Sequence, residues 1–231
     1  MSHYFYCEQR SDEWYRLRLG VATASEFYRI LTPTGKLSKS DVSRSFMYKL
    51  IAQRMIQRDE DAMVMPTKAM EWGIMNEQAA VDYYELMTGA DTKKVGFILA
   101  DNGLLGASPD RLVGDDGLLE IKCPTAGVHV GYLDAGEIER SYWPQVQGQL
   151  YVSGREWSDW MSYHPEIRPI IVRTPRDEEY LNRLSEALDE FCLDYLSCLK
   201  TLVDRGYTSK DVLRFIENGE KNDRPRYVDL E

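Results

Sequence analysis

The chain has 231 residues, 43% of them hydrophobic and 29% charged, with a formal net charge of −10; this is enough for one domain with a sizeable core, here read as residues 1–204 with a C-terminal extension over 205–231. With no apolar run of about eighteen residues and no basic, then apolar, leader after Met1, neither a membrane span, a membrane partner nor a secretory signal is expected, and the cytoplasm is the expected location. Four scattered cysteines and three scattered histidines argue against a disulfide framework or a zinc site.

Taken along the chain, helices are predicted near 11–18, 23–31, 38–57 and 67–88. Ser11 followed by Asp12 and Glu13 has the form of an N-cap with an acidic first turn, which makes Arg18 a charge at the helix C-terminus. Residues 1–58 hold ten Lys plus Arg against five Asp plus Glu, so the rest of the chain carries all of the acidic excess. A channel lined by Arg10, Arg16, Arg18, Arg29, Lys36, Lys39 and Arg44 suits a polyanion inside an acidic exterior, although several of these also fit solvated helix faces. No role is assigned to the loop from Leu31 to Lys36. In the 67–88 helix, Ala79, Ala80, Tyr83, Tyr84 and Met87 are expected to form the apolar stripe.

Strands are expected near 94–100, 104–107, 109–114 and 117–122, then a helix at 140–153 and strands at 157–164 and 168–173. A long helix at about 176–203 follows, with Tyr180, Leu184, Leu188, Phe191 and Tyr195 at helical spacing, and a short one at 209–218. The fold class is α/β, a central mixed sheet flanked by helices.

Chemistry concentrates in Ser108-Pro-Asp110 and Leu118-Leu-Glu120-Ile-Lys122-Cys-Pro. Side chains two apart on a strand share a face, so Glu120 and Lys122 project together, opposite Leu119, Ile121 and Cys123. Gly114-Asp-Asp-Gly117 reads as a three-residue hairpin loop, Asp115 to Gly117, with Gly117 left-handed. That register places Gly114 opposite Leu118, Leu112 opposite Glu120 and Asp110 opposite Lys122; a two-residue loop would reverse the parity and scatter the set. Two carboxylates, with the Ile121 carbonyl as a further oxygen, suit Mg2+, which is typically held by one or two carboxylates plus phosphate oxygens. Lys122 is placed to orient or deprotonate a water and to offset transition-state charge. An exposed Glu-Lys pair after a turn aspartate is the plainer reading of the same residues.

Four blocks together, spanning roughly residues 10 to 155, resemble the lambda-exonuclease family of phage recombination nucleases within the PD-(D/E)-x-K superfamily. They are Trp14 to Glu26, Trp72-Gly73 with Glu77, Ser108-Pro-Asp110 with Glu120-Ile-Lys122-Cys-Pro124, and Gln145-Val-Gln147. The resemblance implies a restriction-endonuclease-like core and a 5′-to-3′ exonuclease that degrades the 5′ strand of linear duplex DNA, leaving 3′ overhangs for strand annealing. It implies Mg2+, with Mn2+ as a possible substitute and two ions per site. Asp110, Glu120 and the Ile121 carbonyl become metal ligands, Lys122 the catalytic lysine, and Glu77 and Gln145 complete the site. Gln147 belongs to the same motif without an assigned role. Arg18, Ser25 and Ser108 fall where the family binds a 5′ phosphate, a task suited to a guanidinium fork and two hydroxyls. The implied partners are duplex DNA ends, two further copies in a homotrimeric ring, and a phage single-strand annealing protein. A restriction-like or structure-specific endonuclease is the alternative enzyme, and a noncatalytic DNA-end adaptor the alternative of another class.

Overall fold

The computed structural model describes residues 2–60 and 67–213. Its first half runs β1 (His3–Phe5), α1 (Asp12–Arg18), β2 (Ala22–Thr23), a 3-10 helix (Ala24–Arg29), α2 (Ser40–Ile56), α3 (Lys68–Thr88), β3 (Thr92–Lys93), β4 (Phe97–Leu99) and β5 (Leu105–Ala107). The second half runs β6 (Arg111–Val113), β7 (Gly117–Lys122), α4 (Ala126–Ala135), a 3-10 turn (Arg140–Tyr142), α5 (Trp143–Ser153), β8 (Trp157–His164), β9 (Ile167–Pro175) and α6 (Glu178–Asp204). Beyond these, residues 211–213 are helical and 209–210 are not; residues 214–218 of the helix expected at 209–218 lie outside the described residues, as does most of the extension.

A five-stranded sheet, ordered β3-β6-β7-β8-β9, places β7 at its centre; β7 and β8 run parallel and every other pairing is antiparallel. The sheet is therefore mixed, as expected. A smaller sheet, β1-β4-β5-β2, carries the N-terminal segment, with β2 parallel to β5. Where an α-helix is expected at 23–31, Ala24–Arg29 forms a 3-10 helix, and Pro144 at the start of α5 marks where the 3-10 turn gives way to regular helix.

The β6–β7 hairpin differs from the expected register. Val113 faces Gly117, Leu112 faces Leu118 and Arg111 faces Leu119. The loop still has three residues, 114–116, but Gly114 is the left-handed one, at φ 51°. Gly117 serves a different purpose, since a Cβ there would lie 2.2 Å from the Trp157 ring. Both ends of the hairpin move by one residue, so parity survives, and Asp110 comes opposite Glu120 rather than Lys122.

Neither face of β7 is left to solvent. Leu118 joins the main core with Trp160, Leu150 and Leu184, while Leu119 and Ile121 pack with Val81, Tyr84 and Met161 beneath α3. Glu120, expected on a polar face, is only 3% exposed. The α6 stripe of Tyr180, Leu184, Leu188, Phe191 and Tyr195 is buried as expected, each large side chain contributing about 1.5–3 kcal/mol. On α3 the inward stripe is Ala80, Val81 and Tyr84; Ala79 and Met87 face outward. Gly148 lets α5 approach the 3-10 helix so closely that a Cβ would sit 2.5 Å from Phe27. This contact sets Ser25, on the 3-10 helix, in fixed relation to Gln145 on α5.

Candidate active site

The end of β7 and the segment before β6 meet the N-terminal half of α3 and the 3-10 turn before α5 around a cleft of about 400 Å³. Asp110, Glu120, Lys122 and Glu77 line it, together with Arg10 and Tyr142. Asp110 reaches β7 through its own side chain: the Ile121 N–H donates to Oδ2 at 2.6 Å, and the Asp110 N–H donates to the Leu119 carbonyl at 3.1 Å. The Asp110 carboxylate is thus tied to the strand that carries Glu120 and Lys122.

Glu120 is held from three directions. Lys122 Nζ and Gln145 Nε2 each donate to its Oε1 at 2.6 Å, and Gln149 Nε2 donates to Oε2 at 2.7 Å. Gln145 also accepts from Lys122 Nζ at 3.2 Å. The Lys122 ammonium lies 4.6 Å from the centroid of Tyr142, over its ring. Glu77 stands at the rim, where Arg10 and Arg111 each donate to it at 3.4 Å. Gln147 points away from the cleft, donating to the Pro175 carbonyl and accepting from the Asp177 N–H, both at 2.9 Å. It fastens α5 to the start of α6.

Burial, then the Glu120 charge, raise the Asp110 carboxyl well above the usual carboxylate range, with Lys122 and the Ile121 N–H pulling the other way. Burial disfavours the Lys122 ammonium, but Glu120 and Asp110 outweigh it and raise its pKa. Two buried carboxylates that share the influence of a single ammonium, itself bonded to Glu120, carry potential negative charge that a divalent cation would neutralise. Among the described residues, no group of three or more His, Cys, Asp and Glu side chains could hold a metal ion by themselves. Asp110 and Glu120 are hard oxygen donors that line one cleft with Ile121, a set that fits a cation such as Mg2+ only if backbone carbonyl, water or phosphate oxygens complete its shell.

A second cluster adjoins the first. Arg18 donates to the Ser108 hydroxyl at 3.1 Å and to the Thr23 hydroxyl at 3.4 Å, and Thr23 and Ser25 share a hydrogen bond at 3.2 Å. Trp14 Nε1 donates to Ser108 at 3.0 Å, and the Arg18 guanidinium stacks 4.1 Å from a Trp14 ring centroid. Ser11 does cap α1, accepting from the Trp14 N–H, and Arg18 does close its last turn. Yet the guanidinium folds back on Trp14, and among the described residues it forms hydrogen bonds with hydroxyls rather than an ion pair with a carboxylate. Burial pulls its pKa down to about 10. A partly desolvated guanidinium among three hydroxyls has donors of the kind that suit an anion.

Arg18, Ser25 and Ser108 are therefore one cluster, and Asp110, Glu120, Lys122, Gln145 and Glu77 another. Other basic residues are drawn into local pairs, Arg10 to Glu77 and Arg29 to Glu26. Sequence reasoning missed Thr23, Trp14, Arg111, Tyr142 and Gln149 as parts of these clusters.

A model of the YqaJ-like viral recombinase domain matches residues 13–156, more than half of the chain and the stretch that holds every residue of both clusters. The chain belongs to this family. Among solved structures it resembles LHK-Exo, an alkaline exonuclease from Laribacter hongkongensis, at 28% identity and a TM-score of 0.75, with 85% of this chain and 98% of that one covered. LHK-Exo in complex with dAMP matches equally well, at 29% identity. A phage-related exonuclease from Haemophilus somnus 129PT, at 15% identity and a TM-score of 0.59 over 80% of this chain and 96% of that one, shares the fold. No curated protein sequence matches the chain. The YqaJ-like family chain is thus related to the phage and bacterial alkaline exonucleases of the PD-(D/E)-x-K type, as its motifs imply.

Proposed function

We propose that the protein is a Mg2+-dependent 5′-to-3′ exonuclease that degrades the 5′ strand of linear duplex DNA and leaves 3′ single-stranded overhangs for recombination by annealing. The observation that carries this reading is the adjacency of the two clusters, joined by the short segment Ser108-Pro109-Asp110. A site for one anionic group next to a hydrolytic site is what trimming from a phosphorylated end requires. The dAMP held by LHK-Exo, a mononucleotide, is of the size such trimming releases.

Asp110, Glu120 and the Ile121 carbonyl would hold the cation, two ions in all, with Mn2+ as an effective substitute. A bound cation of this kind supplies Lewis-acid activation of water and charge neutralisation at the scissile phosphate. Lys122, fixed by Glu120 and Gln145, orients the attacking water and offsets charge developing on the phosphoryl oxygens. Gln145 keeps Lys122 and Glu120 in register with each other, and Glu77 contributes at the rim, where Arg10 and Arg111 orient it. Arg18, Ser25 and Ser108 grip the terminal 5′ phosphate. We further propose a homotrimeric ring around the duplex, a cytoplasmic setting in a phage-infected or prophage-bearing cell, and a phage annealing protein that takes up the 3′ strand. The same proposal takes residues 1–231 as one nuclease domain, with 1–204 as its core and 205–231 as an extension.

Linear and covalently closed circular duplex, incubated side by side with Mg2+, test the reading. Nucleotide release from linear DNA with intact circles is expected. Cutting of circles at a comparable rate would make the protein an endonuclease.

A further inference from the structure

We propose that Gln149 is a positioning residue for Glu120, and that it leaves the glutamate a single open coordination point, on Oε2. This rests on the reading of the cleft as a cation site. α5 offers two amides one helical turn apart, Gln145 and Gln149, and positions four apart share a helix face. They bracket one carboxylate, Gln145 from the Oε1 side at 2.6 Å and Gln149 from the Oε2 side at 2.7 Å. A carboxylate has roughly four acceptor sites. Lys122 and Gln145 fill both on Oε1, and Gln149 fills one on Oε2.

Gln149 is 1% exposed, and its own Oε1 finds no hydrogen-bond partner among the described residues. An unpaired buried carbonyl works against folding, and a leucine of similar volume would avoid it. What the amide provides in return is the bond to Glu120. Turning it over would press its carbonyl against the carboxylate, so Glu120 also fixes which way Gln149 faces. The terminal torsion of glutamate is otherwise broad. Lys122 and Gln145 anchor Oε1, and without Gln149 the Oε2 side has no donor of its own to set the carboxylate plane.

The test compares Gln149→Leu and Gln149→Met with the wild type and with Asp110→Asn. Mn2+ is titrated into the DNA-free protein and followed by electron paramagnetic resonance, and the Mg2+ concentration for half-maximal hydrolysis is measured separately. Both Gln149 variants are expected to fold, with Mn2+ affinity weakened about 10–100-fold and the Mg2+ requirement raised in parallel, the usual consequence of removing a group that orients a ligand. Unchanged Mn2+ affinity in a folded variant overturns the assignment and leaves the cation site standing. A wild type that binds Mn2+ no better than Asp110→Asn removes the cation site itself. Loss of the helical circular-dichroism signal in both variants makes Gln149 a packing residue and also overturns the assignment.

Discussion

Arg18 donates to the Ser108 hydroxyl at 3.1 Å, and Ser108 stands two residues before Asp110. Two residues span at most about 7 Å, so an anion held at Arg18 and a bond cleaved beside Asp110 are within reach of a single nucleotide. Replacing Arg18 by alanine removes a charged donor, and hydrogen bonds to charged groups contribute about 1.5–3 kcal/mol. Hydrolysis of 5′-phosphorylated duplex should fall roughly 10–100-fold, with 5′-hydroxyl duplex little affected. An equal loss on both substrates, measured in parallel initial-rate assays, would argue that Arg18 serves the fold and not the phosphate.

Asp110→Asn, Glu120→Gln and Lys122→Ala should each lower hydrolysis about 10²–10³-fold or more, the scale seen when one group aimed at developing charge is removed. Circular dichroism should stay native in all three. Substantial residual turnover by any of them would remove that residue from the mechanism.

These three residues were legible in the sequence because strand periodicity is two, and any odd-length hairpin loop keeps them on one face. The register itself was not. Asp-Asp-Gly117 has the composition of a turn, but Gly117 is needed where Trp157 crosses the strand, and only tertiary packing reveals that use. The glutamines teach the converse lesson. Gln145-Val-Gln147 draws the eye as a motif, yet residues two apart on a helix point to different sides, and Gln149, four apart, joins Gln145 at Glu120. Helical spacing alone would have found it. The helix α4 was missed because Ala126-Gly-Val-His-Val-Gly131 combines glycine and β-branched residues of low helix propensity.

Gly148 allows the close approach of α5 to Phe27. Gly148→Ala should therefore destabilise the protein by about 1–3 kcal/mol through overpacking. Chemical denaturation would register this as a lower midpoint at unchanged slope. A neutral effect would mean that the 3-10 helix shifts freely, and that Ser25 is not held by this contact.

Tyr84 donates to the buried Asp159 at 2.7 Å, and Arg173 grips the same carboxylate with two bonds at 2.9 and 2.8 Å. Burial first, and Asp159 second, raise the Tyr84 phenol above its ordinary value of 10.0, and burial does the same for Tyr180. The stabilising contribution of such a group is present below the unfolded pKa and is lost as pH rises toward the folded one. Stability should therefore decline from about pH 10 upward. Tyr84→Phe should cost about 1.5–3 kcal/mol at neutral pH and make the alkaline decline shallower. Thermal melts across pH 8 to 11, on the order of the phenol range, would check both parts.

Removal of nucleotides from the 5′ end is the reaction proposed for this chain. Linear duplex carrying a label on one 5′ phosphate and a different label on the 3′ end of the same strand, incubated with Mg2+ and sampled within the first turnovers, tests it directly. Early release of the 5′ label as a mononucleotide, while the 3′ label stays on a shortening strand, is the predicted result. Release of the 3′ label first, or of both labels on internal fragments, would contradict it.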